Sequence, residues 1–97
     1  MLIYKILLPD EWAGFEAAGR FDGSPFDHES GFIHCSTEEQ VSATMRRFFA
    51  DAGKLVVVAL DADALGDAVR WEASFPHVYA ELPASAIVEV HRLEVGR

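Results

Sequence analysis

Residues able to exchange protons or hold anions concentrate in two short segments, residues 31–36 (GFIHCS) and residues 70–79 (RWEASFPHVY). An imidazole changes charge near neutral pH, so His34 and His77 are the natural acid–base groups. Successive residues of an extended chain alternate faces. Phe32, His34 and Ser36 therefore share one face, with Ile33 and Cys35 on the other. His77, Tyr79 and Glu81 oppose Val78, Ala80 and Leu82 in the same way. A sheet joining these two strands would converge two histidines, a hydroxyl and a phenol on one surface. Glu72 alternates with Trp71, so one of that pair points inward. A carboxylate beside a Trp and near histidines can act as a base or stabilise developing positive charge.

Each of these residues also has a purely structural reading. His34 precedes a helix start and can hydrogen-bond backbone there. Ser36, followed three residues later by Glu39, matches the spacing of a capping box. Tyr79 and His77 follow Pro76 and can tether a corner, and Glu72 can be a solvated edge carboxylate. Cys35 faces away from His34 and reads as a buried, inert thiol. A zinc site from His34, Cys35 and His77 is disfavoured because adjacent strand residues diverge and no paired ligand spacing exists, so no metal is expected. There is no nucleophile elbow for Ser-His-Asp or Cys-His chemistry, and no glycine-rich phosphate loop.

The elements that must position these groups can be read along the chain. Residues 2–8 form a first strand, ended by Pro9. Asp10 then caps a short helix over residues 11–18, and Gly19 stops it. Residues 20–30 show no sustained period and read as a loop long enough to suggest function. Residues 31–35 form a second strand. A helix follows, with Val41, Met45, Phe48, Phe49 and Ala52 as its apolar stripe and Gly53 as its end. The unbroken apolar run of residues 55–60 is a strand covered on both faces. A turn or single helical turn spans residues 61–67. Strands follow over residues 69–73, 77–82 and 86–95, with a turn at residues 83–85. The expectation is an α+β domain: a small mixed, split β-sheet of about six strands with two main helices.

Bulk properties narrow the class further. The 97 residues, 51% hydrophobic and 25% charged, suit a single globular domain spanning residues 1–97. A formal charge of −8 opposes binding to nucleic acid or an anionic membrane, although a small phosphorylated ligand is still allowed. Cys35 is the only cysteine, so no intrachain disulfide forms and a reducing, cytoplasmic location is expected. No apolar run approaches membrane length, and the first residues do not read as a secretory leader.

The phrases IYKI, GFIHCSTEEQ, LVVVALD, RWE, FPHVYAELP and AIVEV, spread over nearly the whole chain, resemble the family known as domain of unknown function 952. That family is grouped by distant similarity with the ADP-ribosyltransferase superfamily, whose members split NAD between nicotinamide and ribose. The resemblance implies a split-sheet fold with a cleft shaped for a nicotinamide nucleotide. The superfamily pattern has a first-strand His or Arg, a middle-strand Tyr, Ser or Thr, and often a late Glu. The first of these positions falls on Lys5, where related sequences commonly carry His; lysine can contact phosphate or ribose but cannot replace imidazole. His34 and Ser36 would hold ribose or phosphate oxygens. Glu72 would stabilise the oxocarbenium-like ribose, and the His77–Tyr79 pair would line the remaining wall, Tyr79 stacking on nicotinamide.

Three functions are thereby set against one another. The first is a nucleotide-binding domain, taking NAD or an ADP-ribose-like ligand as substrate, that transfers or hydrolyses ADP-ribose or descends from one that did. The second is a non-catalytic ligand- or protein-binding module, its protein partner undefined. The third is a small-metabolite hydrolase using a His–Glu pair.

Overall fold

A computed structural model describes residues 1–96. The unbroken apolar run becomes the central strand β4 (Lys54–Asp61), flanked by β1 (Leu2–Leu7) and β8 (Ile87–Glu94). Residues 55–60 are all buried, as expected of a strand covered on both faces. Alternation along β4 divides its side chains between two cores. Val56, Val58 and Leu60 enter the main core with Ile3, Leu7 and Phe15. Leu55 and Val57 enter a smaller one with Ile6.

Each core has its own helix. Helix α1 (Pro9–Ala18) gives Trp12 and Phe15 to the main core. Helix α3 (Val41–Phe48) packs Val41 and Met45, with Phe49 just beyond it, on the smaller one. Phe48, counted in the expected apolar stripe, is 60% exposed and turns elsewhere.

A second three-stranded sheet stands apart from the first, in the order β3 (Ile33–His34), β6 (Phe75–Val78), β5 (Val69–Glu72). A third pairing joins β2 (Arg20–Phe21) to β7 (Leu82–Pro83). The two larger sheets pack side chains into the same main core and share backbone hydrogen bonds at one bridge, where Tyr4 and Ser36 bond at 2.8 Å in each direction. Helix α3 packs over the first sheet at the smaller core, and α2 (Pro25–Ser30) lies against β3 of the second.

Several expectations change. The sheet is split, but the pairings among the described residues are antiparallel rather than mixed, over eight strands rather than six. Four α-helices form rather than two, α4 (Ala62–Leu65) being the helical turn expected within residues 61–67. Residues 20–30 are not a loop: they contain β2 and α2. Ser24 caps α2 by accepting from the Asp27 N–H while Asp27 accepts from the Ser24 N–H, with Pro25 at the first helical position.

Asp10 lies inside α1, whose start is closed by Glu11 accepting from the Leu8 N–H at 2.9 Å. Ser36 is likewise no cap. The box is one residue later, with Gln40 accepting from the Thr37 N–H at 2.9 Å, because the Ser36 backbone is engaged with Tyr4. The helix also ends at Phe48, short of Gly53. Strand β6 starts at Phe75 and leaves Tyr79 beyond its end. Among the described residues, no helix is long and apolar enough to cross a membrane.

Strands β5 and β6 form a hairpin with Ala73 and Ser74 as its two turn residues, both at positive φ (52° and 70°). Such a turn suits the twist of the strands, but the conformation favours glycine or asparagine. Ser74→Gly should raise stability by about 1 kcal/mol, read as a higher midpoint in urea with unchanged slope. A lower midpoint would show that the serine side chain contributes more than its backbone strain costs.

Candidate functional site

His34 and His77 face each other directly across β3 and β6. Their ring centroids are 5.8 Å apart and both rings line a cleft of about 880 Å³ between the two sheets. The expected face alternation places them: Ile33 and Cys35 turn into the main core, so His34 turns out of it. Phe32 organises the pair by lying flat on His77, at 3.9 Å between centroids, and tilted against His34 at 4.5 Å.

Each imidazole is held by its own carboxylate through Nδ1, Asp27 to His34 at 2.7 Å and Glu72 to His77 at 2.7 Å. An ionised carboxylate can only accept, so Nδ1 carries the proton in both bonds. In the neutral form of such a ring Nε2 bears the lone pair, and no hydrogen bond engages either Nε2 among the described residues. This is the arrangement by which carboxylates fix a histidine's tautomer for acid–base work.

The two carboxylates differ. Asp27 is 2% exposed and receives four donors. Oδ1 accepts from the His34 N–H and ring, and Oδ2 from the Ser24 N–H and the Lys5 ammonium at 2.9 Å. Lys5 reaches it because odd-numbered residues of β1 face the main core, and it also donates to the His34 carbonyl at 3.0 Å. Burial alone would raise the Asp27 carboxyl. The Lys5 charge, then the Ser24 and His34 donors, outweigh it and hold the group at about 2.

Glu72 is solvated, and its Oε1 also accepts from the Tyr79 hydroxyl at 2.7 Å. The Tyr79 bond first, then the His77 bond, lower its carboxyl, and the same contact raises the Tyr79 phenol.

These residues occur in a fold that is already represented among solved structures. The crystal structure of protein CC0527 from Caulobacter crescentus is 40% identical, with a TM-score of 0.88 over 97% of this chain and 85% of that one. The solution NMR structure of CC0527 gives 41% identity and a TM-score of 0.86, over 96% and 84% of the two chains. No curated protein matches. Residues 6–90 match the family described as Protein of unknown function (DUF952). The chain belongs to that family.

The DUF952 fold thus gathers most of the residues singled out in the sequence. Lys5, His34, Ser36 and His77 all line the cleft. Ser36 is 4% exposed, with its hydroxyl 3.3 Å from that of Thr44. Lys5 is no free cation, because Asp27 and the His34 carbonyl engage it. Glu72 lies behind His77 rather than in the cleft lining. Tyr79 borders a smaller cavity of about 230 Å³ on the other side of Phe32. Trp71 pairs with Pro76 on the face of β5 that also carries Val69 and is 49% exposed, while Glu72 shares the opposite face with the histidines and its side chain stays 44% exposed, so neither member of the pair is buried. Cys35 is buried and its thiol is pushed up to about 12, which keeps it protonated and inert.

Sequence reasoning missed Asp27 and the aromatic setting of His34, where Phe26 stacks at 4.5 Å and 14°. The signal for Asp27 was present as Ser24-Pro25-Phe26-Asp27, a capping box with proline at its first helical position.

The lowered Asp27 carboxyl has a definite pH signature. Its ordinary value is 3.8, so the stability it contributes is complete above that pH and is lost as pH falls toward 2. The gap corresponds to roughly 2 kcal/mol. Urea unfolding between about pH 5 and pH 2 should show this loss in the wild type. Asp27→Asn should be less stable at neutral pH and have a flatter acid limb. An equally steep limb in the variant would assign the acid sensitivity to other carboxylates.

Proposed function

We propose that this domain binds a nucleotide of the NAD or ADP-ribose class in the cleft between its sheets, in the manner of an ADP-ribosyltransferase-like fold, and acts on it through the His34–His77 pair. The observation that supports this reading best is the pairing itself. Two imidazoles stand opposite each other, each anchored at Nδ1 by a separate carboxylate and each lining the same cleft. A binding surface needs no such double orientation. The His34, His77 and Glu72 groups also lie well within one nucleotide's length of each other.

In the hydrolytic form of this activity, water attacks the ribose carbon of NAD and the bond to nicotinamide breaks. Nicotinamide leaves with the bonding electron pair, and a histidine Nε2 takes the proton released by the water. Phe32 and the Asp27 and Glu72 carboxylates keep both rings in place for that transfer. Glu72 serves here through His77, and Ser36 supplies a hydroxyl to the cleft wall. The solvated Tyr79 steadies Glu72.

Titration with NAD and with ADP-ribose, followed by amide shifts, tests the reading. Saturable shifts should cluster on residues 31–36 and 72–79, and His34→Ala should weaken binding by about tenfold, the worth of one good polar contact. The variant retains three of the four donors to Asp27, so its fold should hold. An absence of shifts at millimolar ligand would leave the non-catalytic module as the better account. Release of nicotinamide from NAD by the wild type, lost in His77→Ala, would establish the chemistry.

A further inference from the structure

Three phenylalanines from three different elements line the same cleft while standing substantially exposed. Phe26 of α2 is 55% exposed, Phe48 at the end of α3 is 60%, and Phe75 at the start of β6 is 36%. Single exposed apolar side chains are ordinary on a folded protein, but several converging on one concavity mark a binding surface. Among the described residues no ring contact joins any of the three to another, so they do not fill the cleft by packing together.

The α3 wall contributes a different chemistry. Gln40, Thr44 and Arg47 recur at helical spacing and line the cleft, while Val41, Met45 and Phe49 pack on the smaller core. Gln40 donates to the Ser74 carbonyl at 2.8 Å, and Thr44 meets Ser36. Arg47 differs from both. Its guanidinium sits 5.3 Å over the Phe48 ring and, among the described residues, forms no ion pair, in a chain with 16 acidic residues to 8 basic ones. The carboxylates of the lining do not fill this role. Asp27 is taken by Lys5 and Glu11 by the Leu8 N–H, and Glu39 makes no ion pair among the described residues.

We infer that the cleft reads its ligand in two parts: the rim of Phe26, Phe48 and Phe75 stacks on a planar heteroaromatic base, and Arg47 binds a phosphate carried on the ribose of that base. The inference rests on the nucleotide reading and adds which part of the nucleotide each wall recognises. Base stacking on aromatic side chains tolerates any base, because every base has a π-face. A guanidinium fork matches two phosphate oxygens. The site therefore selects phosphorylated heteroaromatics as a class, with the phosphate supplying most of the discrimination.

Calorimetric titration of wild type, Phe48→Ala and Arg47→Gln with adenosine and with ADP-ribose tests this. Both side chains are exposed, so neither substitution threatens the fold. Phe48→Ala should weaken both ligands by about tenfold. Arg47→Gln should weaken ADP-ribose by a similar factor and leave adenosine unchanged. Wild-type binding of ADP-ribose that neither substitution alters would overturn the inference while leaving the nucleotide reading intact. Failure of the wild type to bind ADP-ribose would remove both.

Discussion

The geometry of the site depends on one buried carboxylate. Asp27 caps α2, neutralises Lys5 at the edge of the main core, accepts from the backbone of His34 and anchors its ring. A buried charge with fewer partners would be costly, and breaking such a pair from one side typically costs about 3–5 kcal/mol. The four donors come from β1, the start of α2 and β3, so satisfying Asp27 requires these pieces of chain to meet. The same requirement places Lys5. Its position in β1 buries its side chain beside the main core, and the Asp27 carboxylate together with the His34 carbonyl makes that tolerable. The second anchor is built differently. Glu72 is half-exposed and accepts from Tyr79, so His77 is oriented without burying another charge.

The cleft follows from how the sheet is split. Strand β4 feeds two cores, and α3 covers only the smaller one, so the chain between β3 and α3 must cross from one half to the other. The Tyr4–Ser36 bridge makes that crossing, and both of its residues line the cleft. One face of α3 is therefore committed to packing and the adjacent face is left to line open space. That division explains why Phe48 and Arg47 project into the cleft from a helix that also carries a regular apolar stripe.

Much of this was legible in the sequence wherever a local pattern determined the outcome. The apolar run of β4, the period of α3 and the alternation at Phe32, His34 and Ser36 each carry their structural consequence within a few residues. The pairing of His34 with His77 required only that two such strands meet. What escaped was short or long-range. Helix α2 spans six residues, too few for a period to show, and its one signature was the capping box at Ser24. Asp27 acts on Lys5 across 22 positions of sequence, which no local pattern reveals. The Ser36 cap failed for a similar reason. A distant strand took up its backbone, and the helix start moved to Thr37.

The central claim is that two carboxylates fix both cleft-lining imidazoles with the proton on Nδ1, which leaves the lone pair of the neutral ring on Nε2. Long-range proton–nitrogen correlation spectra of the side chains read each tautomer directly, at about pH 8 where neutral rings dominate in general. Both His34 and His77 should show the Nδ1–H form, with the Nε2 resonances responding when ADP-ribose is added. Nε2–H tautomers in either ring, or Nε2 signals indifferent to a ligand that binds, would contradict the account.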